Sequence, residues 1–416
     1  MKGGEELEKA SLMKKWLQLN ERNHQKWSTV ILFLLSISFA VTDWMFGIFT
    51  FTEFFLMFIG ICLLISGNYH IRNKQIKWIV LILGVITANI LLNYFNNEQF
   101  ELKVGIAGLI KVTFYVLITM GLYNYVEKYM LEEKLLKSIN IIAVIVCIIG
   151  VYITFSLYSG DILPYEFFWK FTRLDASSYR FNENESLIRT RSLFSEPSYL
   201  GYYLNIILGM NFFNKLKIKI PTLINAILTL TVILTFSYSS LAVLLIIYAL
   251  QFLNIKQMKT FKWTKTMSVY VGILVAIVFL FKNLIYETMI RRTIDILNGQ
   301  DFSTIFRIIR SWNYVNKEHI FMGNGIGHTP NIWNIYAYIL SDLGLIAFVL
   351  SCLFSIYLLL KNFKMATLFI ILNFQKGGYL SSAFWIYLLL LFVYISSNRE
   401  QASFSKKTFL TKGISK

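Results

Sequence analysis

Long apolar runs separated by short polar stretches make up almost the whole chain. A run of roughly 20 apolar residues can cross the hydrocarbon of a bilayer as a helix. In lipid such a segment must satisfy its own backbone hydrogen bonds. Of the 416 residues, 56% are hydrophobic, and the mean hydropathy is +0.57. We therefore expect an all-α polytopic membrane protein.

The hydropathy pattern predicts about 12 transmembrane helices. Their approximate bounds are 28–42, 52–67, 78–95, 104–125, 139–159, 199–213, 221–235, 240–254, 267–283, 335–360, 365–380 and 383–397. The tenth run follows Asn334 and contains Asp342 and Gly344, so a shallow helix followed by a span is an alternative there. The transmembrane domain thus covers residues 28–397, between an N-terminal segment at 1–27 and a tail at 398–416.

The distribution of Lys and Arg predicts the orientation. If the N-terminus is inside, every short loop on the inner side is basic, as the positive-inside rule requires. We therefore expect both termini in the cytoplasm and two large extracytoplasmic loops at about 160–198 and 284–334. This bias accounts for most of the net charge of +17, so no nucleic-acid partner is expected.

A second group of cations lies in the outer loops, against that rule. Its members are Lys170, Arg173, Arg180, Arg189, Arg191, Arg291, Arg292, Arg307, Arg310 and Lys317. Arginine binds phosphate oxygens in a bidentate manner and stays charged at any relevant pH. These cations therefore favour an anionic substrate.

The first outer loop ends in the ten residues Arg189 to Ser198. Ser195 as N-cap with Glu196 and Pro197 in the first turn would explain why the sixth span begins there. Capping does not explain Arg189 and Arg191 just upstream. An aromatic stretch at 165–171 comes earlier in the loop, and both an interfacial helix and stacking on sugar rings are open interpretations of it.

The second outer loop ends in a glycine element, Gly323-x-Gly325-x-Gly327, directly followed by His328. A nucleotide site is a weak interpretation, because no strand precedes the glycines and no Lys-Ser/Thr pair follows them. Tight folding of the backbone at the membrane surface, with amides exposed to an anion, is favoured instead.

These two loops carry a resemblance to a known family. The element Arg189 to Ser198 resembles the large outer loop of the O-antigen ligase and polymerase family, most closely its Wzy-type oligosaccharide repeat-unit polymerases. The second loop and the span after it resemble that family in Arg307, Trp312, the glycine element, Asn334-x-Tyr336 and Leu340-x-Asp342-x-Gly344. The likeness covers most of the chain in layout but only the two loops in motif.

Two positions depart from the family pattern. Ser192 stands where many relatives have glycine. Trp333 stands where ligase-type members carry a histidine, so the general base of that branch cannot be carried over to this position. His328 or a carboxylate is the substitute to consider.

The resemblance implies an enzyme of the bacterial plasma membrane that builds a polysaccharide of the capsule or O-antigen type. Such an enzyme transfers a glycan chain from polyprenyl (undecaprenyl) diphosphate onto a sugar hydroxyl of a lipid-linked repeat unit at the outer face. We expect a metal-independent inverting glycosyltransferase that uses no cofactor. A chain-length regulator is a further expected partner.

Candidate residues follow from this chemistry, since a leaving diphosphate needs fixed cations. Arg189 and Arg307 are expected to bind the diphosphate, assisted by Arg191 and Arg310. Lys111 lies about 10 Å inside the fourth span, where an ionisable group costs on the order of 2.5 to 3.5 kcal/mol unless it is paired or reaches water. Snorkelling and contact with the diphosphate are both open for Lys111.

The acceptor hydroxyl needs a general base. Glu196, His328 and Asp342 are the candidates, and the sequence does not rank them. Alternative functions also remain open. A ligase that transfers finished glycan shares the chemistry but is disfavoured by Trp333, and a lipid-linked oligosaccharide flippase is disfavoured by the long outer loops. A peptidoglycan polymerase has its own pattern of acidic loop residues, which this sequence lacks.

Overall fold

The computed structural model describes residues 26–172, 179–181, 184–252, 286–330 and 332–395. This part of the chain is mostly helical. Its helices are α1 (Lys26–Ala40), α2 (Phe51–Ile65), α3 (Asn73–Asn96), α4 (Leu102–Lys128), α5 (Glu132–Tyr158), α6 (Pro197–Phe213), α7 (Thr222–Leu234), α8 (Tyr238–Phe252), α9 (Arg292–Leu297), α10 (Phe302–Ile308), α11 (Ile335–Lys361), α12 (Phe363–Lys376) and α13 (Ser382–Ile395). Glu166–Phe168 and Arg310–Tyr314 form short 3₁₀ turns, and Tyr286–Arg291 forms a π-helical turn.

Four of these helices, α3, α4, α5 and α11, are long and apolar enough to cross a membrane. Shorter apolar helices, α1, α2, α7, α8 and α13, accompany them. The expectation of a helical membrane protein is confirmed at this level. Each predicted span coincides with a described helix except 267–283, which lies outside the described residues together with residues 1–25 and the tail at 398–416.

Two short hairpins lie outside the helices. Strands β1 (Met45–Phe46) and β2 (Phe49–Thr50) pair antiparallel, and so do β3 (Arg180–Phe181) and β4 (Asn184–Ile188). The segment before β1 is bonded to the first outer loop, because the Trp44 indole donates to the carbonyl of Leu193 at 2.7 Å. This contact fixes the end of the loop, where the sequence predicted the site, against the segment between α1 and β1.

Helix α6 lies at the centre of the bundle. All of its residues except Tyr199 and Phe212 are buried. Two glycines permit this, because a Cβ at Gly201 would overlap Ser240 of α8 and a Cβ at Gly209 would overlap Leu368 of α12. Close packing of α6 against α12 places the N-terminus of α6 beside the C-terminus of α12.

Helix α11 is broken at Gly344, which has a φ of 79° and a ψ of −173°. The break frees two carbonyls of the first part of the helix. The amide of Asn324 donates to Ser341 O at 2.7 Å, and the amide of Gly325 donates to Asp342 O at 2.9 Å. The alternative of two successive helices in the tenth predicted span therefore agrees with the structure.

Candidate functional site

Glu196 is the N-cap of α6 and has an extended backbone, with φ −135° and ψ 148°. Pro197 takes the first helical position, where no intrahelical donor is lost. The proposed N-cap at Ser195 is therefore wrong by one residue. The Glu196 carboxylate does not cap the helix. Its Oε2 accepts a hydrogen bond from the Ser198 hydroxyl and forms an ion pair with Lys376 Nζ, both at 2.8 Å.

Lys376 ends α12, and its side chain is only 1% exposed, whereas that of Glu196 is 35% exposed. Its Nζ lies 3.4 Å from the centroid of the Tyr199 ring and 5.9 Å from that of Trp333. A buried ammonium is unfavourable unless it is paired and solvated by the protein. The carboxylate and the aromatic faces together supply that environment.

Arg189 and Arg307, from the two long loops, both lie within electrostatic range of the Glu196 carboxylate. Burial, together with the nearby cation of Arg292, lowers the pKa of Arg189 to about 10, and the charge of Glu196 opposes this change. The pKa of Arg307 is lowered for the same reasons, burial first and then Arg292, and Glu196 again opposes. Both guanidinium groups therefore lie within electrostatic range of Glu196 and Arg292.

The partners of these arginines differ. Arg189 Nε donates to the carbonyl of Thr235 at 3.2 Å, and Arg292 Nε donates to Asp301 at 3.0 Å. Arg307 lies 5.8 Å from the Trp333 ring. Its buried Nε has no hydrogen-bond partner within the described part of the chain. An unsatisfied buried donor of this kind costs about 1–3 kcal/mol.

We refer to Arg189, Glu196, Arg292, Arg307 and Lys376 as the Glu196 cluster. Lys376 pairs with Glu196 and Arg292 pairs with Asp301, and Arg189 and Arg307 add two further positive charges within electrostatic range of Glu196. The pKa of Glu196 is below its usual value, because Lys376, Ser198 and Arg307 outweigh the opposite effect of burial. The arrangement can hold an anion beside an ionised carboxylate.

The local fold of the first loop explains how Arg189 is positioned. The amide of Thr190 donates to the carbonyl of Leu234 at the end of α7, at 3.0 Å. The hydroxyl of Ser192 donates to the carbonyl of Val146 in α5, at 2.6 Å. Ser192 has a φ of 51°, in the left-handed region that glycine adopts most easily. A glycine would adopt this conformation at lower cost than Ser192 does.

Arg191, by contrast, lies inside the base of the loop. It is buried, with its guanidinium carbon 3.6 Å from the centroid of the Trp169 ring. Its Nη1 donates to the carbonyl of Ser195 at 2.7 Å. Trp169 also stacks on Tyr179, with ring centroids 5.4 Å apart. The aromatic stretch of the loop therefore packs against protein groups here.

Asp342 holds the glycine element in place. Its carboxylate is fully buried and accepts hydrogen bonds from the amides of Gly327 and Thr329, at 2.9 and 2.8 Å, and from the Tyr379 hydroxyl at 2.6 Å. In the glycine element, the amide of Gly327 thus binds a carboxylate of the chain itself, and the amide of Gly325 donates to a backbone carbonyl. This geometry favours a positioning role for Asp342 over proton transfer.

His328 packs at the start of α4. Its ring stacks on Phe100 at 4.5 Å, and its Nε2 accepts a hydrogen bond from the amide of Glu101 at 2.8 Å. Nδ1 therefore carries the proton and faces the carbonyl of Ile326 at 3.1 Å. Since the lone pair of the imidazole is already engaged, Glu196 is the better placed of the three candidate bases.

Lys111 and Arg310 occupy other surroundings. Lys111 Nζ forms an ion pair with Glu53 of α2 at 3.0 Å, and the Tyr115 hydroxyl donates to the same carboxylate oxygen at 2.6 Å. This pairing offsets the cost of an ionisable group within α4. Arg310 is exposed at the start of a 3₁₀ turn.

Lys376, Arg292 and Tyr199 were absent from the sequence-based candidates. Lys376 could have been found, because it is an ionisable residue within a predicted span, the criterion that selected Lys111. Arg292 was only one of ten outer-loop cations. Tyr199 carries no signal in the sequence, since its contact with Lys376 depends on the packing of α6 against α12.

Comparison with known proteins gives no further assignment. No protein-family model matches the chain. The curated proteins and the solved structures contain no significant match to it either. The site is therefore interpreted from its own chemistry and from the resemblance in its two loops.

Proposed function

We propose that this chain is a polysaccharide repeat-unit polymerase. It would transfer a polyprenyl-diphosphate-linked glycan onto a lipid-linked repeat unit at the outer face of the bacterial plasma membrane. The observation that carries this proposal is that Arg189 and Arg307, from separate loops, both lie within electrostatic range of one carboxylate, that of Glu196. Guanidinium groups bind phosphate oxygens in a bidentate manner, which supports a diphosphate ligand.

In this proposal the cations bind the donor diphosphate. Arg307 would use its unsatisfied Nε, and Arg189 and Lys376 would stabilise the charge that develops on the leaving group. A preorganised donor near a developing anion is typically worth about 3–4 kcal/mol in the transition state. No metal or cofactor is needed for this step.

Glu196 would act as the general base. Its carboxylate accepts the proton of the acceptor hydroxyl as the oxygen bonds to the anomeric carbon of the donor. The bond from that carbon to the diphosphate oxygen breaks, and the electron pair leaves with the diphosphate. A direct displacement of this kind inverts the anomeric centre. Glu196 is suited to the role because it is ionised and partly exposed beside the cations.

The proposal includes about 12 spans, cytoplasmic termini and two outer loops. A chain-length regulator remains a proposed partner. The roles of Arg191, Asp342 and His328 would then be to fix the two loops around the site. Arg310, on an exposed turn, would contact the glycan farther from the reacting carbon.

The test is complementation of a strain that lacks its own polymerase, with the surface glycan examined on a gel. Arg189→Ala or Arg307→Ala should leave single repeat units while the protein still inserts. Lys317→Ala, an exposed cation of the second outer loop, is the matched control and should give the full ladder. A full ladder from both cluster variants would refute the arginine assignments.

The same experiment distinguishes the alternatives. If the chain is a flippase, it exports the repeat unit, so loss of the chain would remove even the single units from the surface. If the chain is a ligase, loss of the chain would leave the ladder on the lipid carrier and abolish only the transfer of the glycan to another acceptor. Either outcome would replace the polymerase assignment.

A further inference from the structure

Two lysine-containing turns meet at the end of the bundle where α6 ends and α12 begins. Residues 214–221 connect α6 to α7, and residues 361–364, centred on Asn362, form the turn between α11 and α12. The ammonium of Lys215 donates to the carbonyl oxygen of Lys361. The Asn362 side chain donates to the carbonyl of Phe213 at 3.1 Å. These bonds hold the two turns against each other, although they are far apart in sequence.

The first turn exposes its three lysines. Leu216 and Ile218 are buried, whereas Lys215, Lys217 and Lys219 are exposed. Lys217 has a φ of 56°, so the backbone turns sharply between the buried residues. Asn214 fixes the turn, because its side chain accepts from the amide of Ile218 at 2.8 Å.

Lys361 and Lys364 flank Asn362 and lie next to the first turn, since the carbonyl of Lys361 accepts from Lys215 and Lys364 Nζ lies 5.7 Å from the Phe213 ring. We call these five residues the lysine clamp: Lys215, Lys217, Lys219, Lys361 and Lys364. Neither turn contains Asp or Glu. In the portion of the chain that the structure describes, no carboxylate forms an ion pair with any of the five. The charge of the clamp is therefore available to an external anion.

Apolar side chains border the clamp. Leu360 is 82% exposed and Phe363 is 62% exposed, and Lys361 Nζ lies 5.6 Å from the ring of the exposed Tyr357. Tyr357 and Leu360 lie at the C-terminal end of α11, one of the helices long enough to cross a membrane, and Phe363 begins α12. Ammonium groups beside exposed apolar side chains at a membrane surface match the headgroup and the acyl chains of an anionic phospholipid.

We propose that the lysine clamp is a binding site for the phosphate headgroup of an anionic phospholipid. The positive-inside rule accounts for lysines in either turn. It does not require that two turns distant in sequence be bonded together. A free phosphate would use the same ammonium groups, but it would not use the exposed apolar border. The proposal is independent of the proposed enzymatic function.

The test uses the full chain, purified in a neutral detergent, with retained lipid measured by native mass spectrometry. The probes are short-chain phosphatidylglycerol, phosphatidylcholine of the same chain length, and glycerol phosphate. Wild type should bind phosphatidylglycerol and should bind the other two far more weakly. The triple variant Lys217→Gln, Lys219→Gln, Lys364→Gln should weaken that binding by about tenfold or more, since each surface lysine contributes appreciably to the attraction of anionic lipid.

Two controls keep the test specific. The triple variant Lys74→Gln, Lys77→Gln, Lys128→Gln removes the same charge from exposed lysines outside the clamp and should leave binding unchanged. Replacing the three clamp lysines by arginine should restore it.

Three results would overturn the proposal. One is equal binding of phosphatidylglycerol by the clamp variant and wild type. A second is an equal loss in the outside-lysine control. The third is equal binding of glycerol phosphate and phosphatidylglycerol, which would mean that the clamp recognises phosphate without lipid. Thermal unfolding in the same detergent shows whether each variant is folded.

Discussion

The ion pair between Glu196 and Lys376 is asymmetric, and this asymmetry makes a quantitative prediction. Lys376 is almost completely buried, whereas about a third of the Glu196 side chain is exposed. Breaking a buried pair by removing one partner costs about 3–5 kcal/mol. Glu196→Gln leaves the buried ammonium without its carboxylate, so we expect a loss of about 3 kcal/mol in the free energy of unfolding.

Lys376→Met should cost less. The remaining carboxylate of Glu196 can turn towards water, and methionine retains a favourable contact with the Tyr199 ring. We expect a loss of about 1 kcal/mol, as for partly exposed pairs. The double variant should be close to Lys376→Met alone, because the uncompensated ammonium has been removed. The coupling energy of the double-mutant cycle then has a magnitude of about 3 kcal/mol.

Unfolding by a denaturing detergent in mixed micelles, followed by tryptophan fluorescence, measures these values. The half-exposed pair Lys137–Glu133 on α5 provides the control. Glu133→Gln should change stability by no more than about 0.5 kcal/mol. If Glu196→Gln costs no more than Lys376→Met, or if the two effects simply add, the pair is not a buried one and the reasoning fails.

Three further predictions concern local features. Gly344→Ala should destabilise by about 2 kcal/mol or more, because it places a side chain at positive φ against the carbonyl of Phe321. Gly84→Ala, which meets nothing within 4 Å, should stabilise α3 by up to about 1 kcal/mol; detergent unfolding of the two variants checks both values, and equal effects would contradict them. Asp342→Ala should accelerate hydrogen exchange at the amides of Gly327 and Thr329, since it removes the carboxylate that accepts from both, and unchanged exchange would exclude this anchoring role. Burial raises the pKa of Glu196, but the larger effect of its partners leaves the folded-state pKa below the unfolded-state pKa. The stabilising contribution of the carboxylate is therefore complete above the unfolded-state pKa and is lost as pH falls through the folded-state pKa. The Glu196→Gln variant should therefore lose less stability than wild type below about pH 4, as acid unfolding would show.

The helices could be predicted because the apolar runs meet a strong physical constraint. Lipid leaves a backbone segment no alternative to internal hydrogen bonding. The apolar runs that form α3 and α5 are therefore expected to be helical. The break in α11 was also indicated, since Gly344 follows a charged residue within an apolar run. The start of α6 was placed one residue too early, because Ser195 is the better capping residue by type but Glu196 has the required backbone conformation.

The site could be predicted only in part. Arg189 and Arg307 were selected because outer-loop cations oppose the topology rule, and both lie beside Glu196. Which of the ten cations converge is set by the approach of α6 to α12, and hence by contacts such as that of Gly209 with Leu368. No local pattern encodes that approach. Lys376 was missed for this reason, although its position within an apolar run was visible.

The glycine element bound by Asp342 has a consequence for recognising anion sites. A carboxylate attached to the same chain is present at an effective concentration in the millimolar range or above. A phosphate in solution must displace it before it can use the same amides. Turns whose N–H groups point outward will thus be predicted too often as ligand sites, wherever a neighbouring acidic side chain can accept hydrogen bonds from those N–H groups. Here the carboxylate of Asp342 permanently occupies a position that would otherwise suggest a site for a substrate anion.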